Sequence, residues 1–244
     1  MQYALVDDRR SSPTPGQRGR CQYCGEEMVA KCGQYVMWHW AHMPGSICDP
    51  WWDSESEWHR EWKERFPEDW REVVHFDELT GEKHIADVKT PSGVVVEFQR
   101  SHITSEEVAS REGFYQDLVW VIDGDRGSVS PSYFRMGLAR EPVSLDPLVH
   151  GVHWWSRSRL LHRWAAVTCP VYIDFGSHGL WRLLEFEPVE RVAFFSPVEP
   201  EWLVDTCTEG ERSVFSWLPE DERESWVERF RLTEYHPEYH DVQN

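Results

Sequence analysis

The sequence predicts an α/β protein, and three observations carry that prediction. Between residues 53 and 123 a helix, three strands, a second helix and a fourth strand read off in that order. Ahead of them, a Cys-x2-Cys pair followed by two histidines marks a small module stapled by a metal. Behind them lies a tryptophan-rich stretch of mixed helix and strand pattern. The expected division is therefore 1–50, 51–140 and 141–244.

The chain has 244 residues, net charge −18 and fifteen tryptophans, with 40% hydrophobic and 28% charged residues. That balance is ordinary for a folded soluble protein and excludes disorder throughout. So many aromatics imply packing layers first of all. No apolar run has the length of a membrane helix, and MQYALVDDRR lacks an apolar leader, so a cytoplasmic location is the expectation. The acidic balance counts against indiscriminate nucleic-acid binding. It is uneven, however: residues 1–50 hold five acids and five bases, and much of the excess lies beyond Pro197. Six cysteines are too few for a disulfide scaffold.

Residues 2–7 read as a strand, and Arg9 to Arg20, rich in Ser, Pro, Gly and Arg, as an exposed connector. Cys21-Gln22-Tyr23-Cys24-Gly25 is a knuckle, and fourteen residues after Cys24 comes His39-Trp40-Ala41-His42. Two thiolates and two imidazoles suit a structural Zn²⁺ held by Cys21, Cys24, His39 and His42. Cys32 and Cys48 lie close enough to replace a ligand. The alternative is a metal-free Cys pair beside two histidines of an aromatic cluster. Cys169 and Cys207 read as small buried hydrophobes.

Asp53 to Phe66 reads as a helix with an Asp or Ser cap. Trp58, Trp62 and Phe66 form an apolar stripe at intervals of four. Glu55, His59 and Lys63 form a neighbouring stripe, which is either a solvated face or one that lends Glu55 or His59 to a site. Strands follow at 71–79, 82–89 and 94–99, a helix at 104–117 capped by Thr104 or Ser105, and a buried strand at 118–123. Beyond residue 140, Val152 to Thr168 reads as an amphipathic helix carrying Trp154, Trp155 and Trp164 with Arg157, Arg159 and Arg163. A hairpin at 170–186, a strand at 191–196 and an acidic helix at 216–232 complete the chain.

The most informative stretch is His84 to Ser101, HIADVKTPSGVVVEFQRS. Pro91, Ser92 and Gly93 supply a turn between two strands. Side chains alternate across a strand, so Glu97 and Gln99 share a face, and a hairpin brings Asp87 opposite them. Two carboxylates and an amide on one spot suit a hard divalent cation. Surface carboxylates on an antiparallel sheet are the plain alternative. Against it, Glu97 follows three valines, where a carboxylate is costly unless paired or bound to a cation.

These motifs, in this order, resemble the competence protein CoiA-like branch of the PD-(D/E)xK nuclease superfamily. The resemblance runs from residue 1 to about 140 and rests on seven short matches. They are Cys21/Cys24; His39-Trp40-Ala41-His42; Glu55-Ser56 with His59 and Lys63; Ala86-Asp87-Val88; Glu97-Phe98-Gln99 with Ser101; Arg111-Glu112 with Phe114-Tyr115; and Trp120-Val121-Ile122-Asp123. The resemblance implies a restriction-endonuclease-like αβββαβ core and a metal-dependent DNA nuclease that serves DNA uptake or recombination. It implies Mg²⁺ or Mn²⁺ held by Asp87 and Glu97, with the Val96 or Phe98 carbonyl completing the coordination. Gln99 would orient water, and Glu55 would add a ligand from the helix. Gln99 stands where the superfamily commonly has lysine, and a neutral amide can orient or ligate but not supply charge. DNA is the expected partner, with a recombination or defence protein a further candidate and no membrane. Two other readings are a non-catalytic zinc-stabilised DNA- or protein-binding module, and an interaction protein acting through its tryptophan-rich half.

Overall fold

The computed structural model describes residues 1–46, 48–51, 55–78, 80–125, 131–139, 141–153, 159–164, 166–187, 189, 191–211 and 220–234. Its strands and helices are β1 (Ala4–Val6), β2 (Arg9–Ser11), β3 (Arg18–Arg20), β4 (Glu27–Lys31), β5 (His39–His42), α1 (Glu57–Glu64), β6 (Arg71–Phe76), β7 (Lys83–Lys89), β8 (Val95–Gln99), α2 (Ser105–Phe114), β9 (Leu118–Asp123), α3 (Pro131–Gly137), β10 (Ser144–Leu145), β11 (Leu148–His153), α4 (Arg159–Trp164), β12 (Val171–Asp174), β13 (Leu180–Glu187), β14 (Val192–Val198), α5 (Pro200–Glu209) and α6 (Glu220–Glu234). They build a mixed α/β structure with two sheets.

The first sheet has five strands in the order β2-β1-β3-β4-β5. Met28 and Trp40 fill its inner face with Met1, Ala4 and Cys21. The connector expected from Arg9 to Arg20 thus contributes two short strands, β2 and β3. The second sheet has nine strands in the order β10-β11-β14-β13-β12-β9-β8-β7-β6. The helix–three strands–helix–strand order is present as α1, β6, β7, β8, α2 and β9. β6, β7 and β8 run antiparallel, and β9 returns parallel to β8 through α2. Ser56 caps α1 by accepting from the His59 amide, and Thr104 caps α2. Gly93, at φ +96°, takes the left-handed conformation that the β7–β8 turn requires.

β9 is buried along its whole length. Val119 and Val121 face one layer with Trp62, Phe98 and Leu203 from α1, β8 and α5, and with Phe66 just after α1. Leu118, Trp120 and Ile122 face the other, with Val108, Phe134 and Trp164 from α2, α3 and α4. The sheet continues past residue 140, because β12 pairs with β9 in parallel and β13, β14 and β11 extend it. α1 is bolted to this later half: the indole N–H groups of Trp58 and Trp62 both donate to Asp174 Oδ2 at 2.9 Å.

Val152 and His153 belong to strand β11 rather than to the start of a helix. Val152 pairs across the sheet with Ala193, contact that a local apolar pattern does not reveal. Of the expected 152–168 helix, 154–158 lie outside the described residues, as do 216–219 and the tail 235–244. α4 keeps Trp164 buried against Trp120, with ring centroids 5.0 Å apart, and Arg163 reaches His102. The terminal helix α6 packs Trp226 and Phe230 on Phe194.

Candidate functional site

Two sites arise where the sheets meet. The first is the knuckle. Gly25, at φ +77°, lets its N–H reach the Cys21 carbonyl at 2.9 Å and closes the tight turn of the Cys pair. The ligand atoms of Cys21, Cys24, His42 and Cys48 lie within 4.8 Å of one another. Cys21 and Cys48 sulfurs are 3.8 Å apart, and Cys24 Sγ is 3.3 Å from His42 Nε2. Tetrahedral zinc with Zn–S near 2.3 Å places its sulfurs about 3.8 Å apart, so the donor set and spacing fit a metal such as zinc. Burial holds the thiols of Cys21 and Cys48 above their ordinary range while no cation is present. A cation reverses that preference.

The ligand set differs from expectation at one position. His39 and His42 are separated by an odd number of residues in β5, so strand alternation sends them to opposite faces. His42 joins Trp40 on the inner face. His39 turns outward, with its Nδ1 2.8 Å from the Met37 carbonyl. Cys48, arriving from the loop after β5, supplies the fourth donor.

The residue after Cys48 joins the knuckle to the large sheet. Asp49 is buried and accepts from the Ile85 amide at 2.6 Å, from the Trp51 amide at 3.0 Å and from His84 Nδ1 at 2.8 Å. Trp51 stacks on His84 with ring centroids 3.3 Å apart, and its carbonyl accepts from Arg111 at 2.8 Å. A short path thus runs from the Cys/His cluster to the second site.

That site is a pocket lined by Glu55, His59, Lys63, Glu72, Asp87, Glu97, Gln99 and Arg111, with Trp51, Ile85 and Phe98. The β7–β8 register, Val88 opposite Val96, sets Asp87 across from Glu97. The Asp87 amide donates to Glu97 Oε1 at 3.2 Å, and the Phe98 amide to Asp87 Oδ2 at 3.0 Å. His59 and Lys63 of α1 face into this pocket together with Glu55, which precedes the Ser56 cap and so lies outside the helix expected to begin at Asp53. His59 donates from Nε2 to the Phe98 carbonyl at 2.9 Å, so of the two carbonyls expected as alternative metal ligands, Val96 and Phe98, the second is already engaged. Gln99 donates to the Ser101 carbonyl at 3.1 Å and hydroxyl at 3.0 Å.

Charges in the pocket are largely compensated. Lys63 Nζ lies 2.5 Å from Glu55, 3.1 Å from Glu72 and 3.8 Å from Asp87. Burial disfavours its charge, yet Glu72, Asp87 and Glu55 raise its pKa above the usual lysine value. Glu97 meets Arg111 at 2.7 Å, which is the cation that its apolar strand demanded. Burial first, and the neighbouring Asp87 second, push the Glu97 carboxyl up to about 8 against the opposing pull of Arg111. Asp87 is the more open of the facing pair, its side chain 26% exposed against 4% for Glu97. Among the described residues, only the knuckle brings three or more Cys, His, Asp or Glu ligand atoms within 4.8 Å of one another.

Sequence reasoning missed Glu72 and did not give Arg111 a role in the site. Glu72 sits at φ +46°, a strained conformation for a non-glycine residue, and its carboxylate accepts from the Gln2 amide at 2.8 Å as well as from Lys63. Its only sequence signal is a carboxylate beside Val73 and Val74. Its partner Gln2 is remote in the chain, and Lys63, though nearer, lies on a helix whose direction relative to β6 no local pattern gives.

Residues 16–50 match the family model described as competence protein CoiA, N-terminal domain. That stretch contains the four-residue cluster and strands β3 to β5. The similarity covers this segment alone, about a seventh of the chain. No curated protein and no solved structure matches the chain significantly. No helix among the described residues is long and apolar enough to cross a membrane.

Proposed function

We propose that the pocket is a divalent-cation-dependent phosphodiesterase centre that cleaves DNA in a competence-related process, on a core of the PD-(D/E)xK kind. The observation that carries this reading is the facing of Asp87 and Glu97 across β7 and β8, with Glu55, Lys63 and Gln99 at the same opening. Asp87 and Glu97 hold the cation: burial and the facing Asp87 lift Glu97 to about 8, and a divalent cation between the two carboxylates would relieve that repulsion. Mg²⁺ or Mn²⁺ bound there supplies Lewis-acid polarisation of the phosphate and a more acidic water. Lys63, 3.8 Å from Asp87, brings from α1 the positive charge that Gln99 lacks on β8. Gln99, with its amide N–H groups tied to Ser101, keeps its carbonyl oxygen for orienting water. Zinc in the knuckle is structural and, through Asp49 and Trp51, steadies Arg111 behind Glu97.

Cleavage of linear, circular and single-stranded DNA in the presence of Mg²⁺ or Mn²⁺, abolished by Asp87→Ala, is the expected result. No cleavage with any substrate or metal, or cleavage that survives in Asp87→Ala, would sink the reading. The second reading, a non-catalytic nucleic-acid- or protein-binding module, draws on one observation: Lys63, Arg60 and Arg111 already neutralise Glu55, Glu72 and Glu97 without any metal.

A further inference from the structure

The loop between β4 and β5 is exposed and aromatic in a way that the fold does not use. Tyr35 is 97% exposed, Val36 62% and Trp38 46%. Trp38 is held in place, its indole N–H donating to the Gly33 carbonyl at 3.2 Å. The sheet that carries this loop is sided. Strand alternation and the registers Arg18–Val29, Arg20–Glu27 and Lys31–His39 put Arg18, Arg20, Lys31 and His39 on the face opposite Met28 and Trp40. Arg18 and Arg20 pair with Glu27 and Asp8, but all four side chains are largely exposed, and such pairs contribute little and exchange readily. The loop also touches the pocket. Arg60 donates to the Trp38 carbonyl at 3.1 Å and, with the same guanidinium, to Glu55.

We propose that this loop and sheet face bind single-stranded DNA, with Tyr35 and Trp38 stacking on unpaired bases and Arg18, Arg20 and Lys31 following the phosphates. Rings presented beside cations are what unpaired, sequence-tolerant binding needs, because every base has a stacking face and only a single strand exposes it. A duplex offers its phosphates but not its bases. On a chain of net charge −18, basic side chains collected on one face mark where a polyanion docks, and the rings beside them select a nucleic-acid strand over an acidic protein. The Trp38–Arg60–Glu55 contacts make the loop the rim of the pocket, and the strand is led from the rings towards Asp87. Only that direction rests on the phosphodiesterase reading; the binding surface does not.

The test is fluorescence anisotropy with a labelled oligo-dT and a labelled hairpin duplex of equal length, using the full chain without added Mg²⁺ or Mn²⁺. Tyr35→Ala and Trp38→Ala should each weaken oligo-dT binding by about tenfold while changing duplex binding less than about twofold. Lys31→Glu should weaken both and flatten the salt dependence. Circular dichroism and zinc content, unchanged in each variant, show that the fold persists. Equal oligo-dT affinity in wild type and both ring variants, equal losses on single strand and duplex, or a wild type with no affinity for oligo-dT would each overturn the proposal. That last outcome is also what an aromatic loop serving a protein partner predicts. If the ring variants lose binding and no form of the protein cuts DNA, the phosphodiesterase reading falls and the binding surface stands.

Discussion

Lys63 carries one positive charge into a buried space shared by Glu55, Glu72 and Asp87. Removing it leaves carboxylates in low dielectric without a partner, so Lys63→Ala should cost about 3–5 kcal/mol, measured as a shift in the urea midpoint. Glu72 gives a prediction with a sign. Burial alone would raise its carboxyl, but Lys63 and the Gln2 amide outweigh burial and hold it down at about 2. A carboxyl lower in the folded than in the unfolded chain stabilises the fold fully above the unfolded value, about 4.3, and loses that contribution as the pH falls through the folded value. Glu72→Gln should therefore be clearly less stable than wild type at pH 7. The gap in thermal midpoint should narrow below about pH 4 and close towards pH 2. A gap that does not change with pH would show that the contribution of Glu72 is packing rather than charge.

At the scale of elements, the period of a strand decides which histidine joins the cluster that could hold a metal. Residues 39 and 42 share a face when they are a helical turn apart, and oppose each other in β5. Cys48→Ser should then lose zinc as severely as Cys21→Ser, and His39→Ala should keep one zinc per chain, by elemental analysis of purified protein. Zinc retained in Cys48→Ser and lost in His39→Ala would reverse the assignment. The same alternation worked in favour of the β7–β8 hairpin. There the partners are about ten residues apart, and a turn sequence pins the register, so Asp87 and Glu97 were legible as a facing pair. The helix α1 was legible in its apolar stripe and cap. The direction of its polar stripe was not, because Asp174, which anchors Trp58 and Trp62, lies more than a hundred residues away.

Across the whole molecule, the nine-stranded sheet has no seam at residue 140. β12 pairs along β9, whose residues are buried throughout, and the layer around Trp120 includes Val152, Leu161, Trp164 and Phe195. A chain ending at residue 140 would expose that apolar layer and a long parallel edge. It should elute as aggregate in size-exclusion chromatography and lack a cooperative thermal transition, whereas the full chain should be soluble and melt cooperatively. Two tryptophans of the later half follow the same logic, while Trp202 stays 42% exposed. Trp164 and Trp226 are 2% exposed and serve the core. Tyr35 and Trp38, two exposed rings in one short loop, lie instead in the N-terminal module.

The sequence by itself determined the α/β class, the order of elements from α1 to β9, the knuckle, and the facing of Asp87 and Glu97. Each depends on spacing within a few residues or on a short hairpin, where periodicity and turn chemistry suffice. Only the tertiary structure decided that Cys48 completes the knuckle, that Lys63 and Arg111 neutralise the pocket, that Glu72 belongs to it, and that residues after 140 extend the sheet. Those facts depend on which distant segments meet. A chain's local propensities do not encode such meetings one at a time; burial of the shared core selects them together.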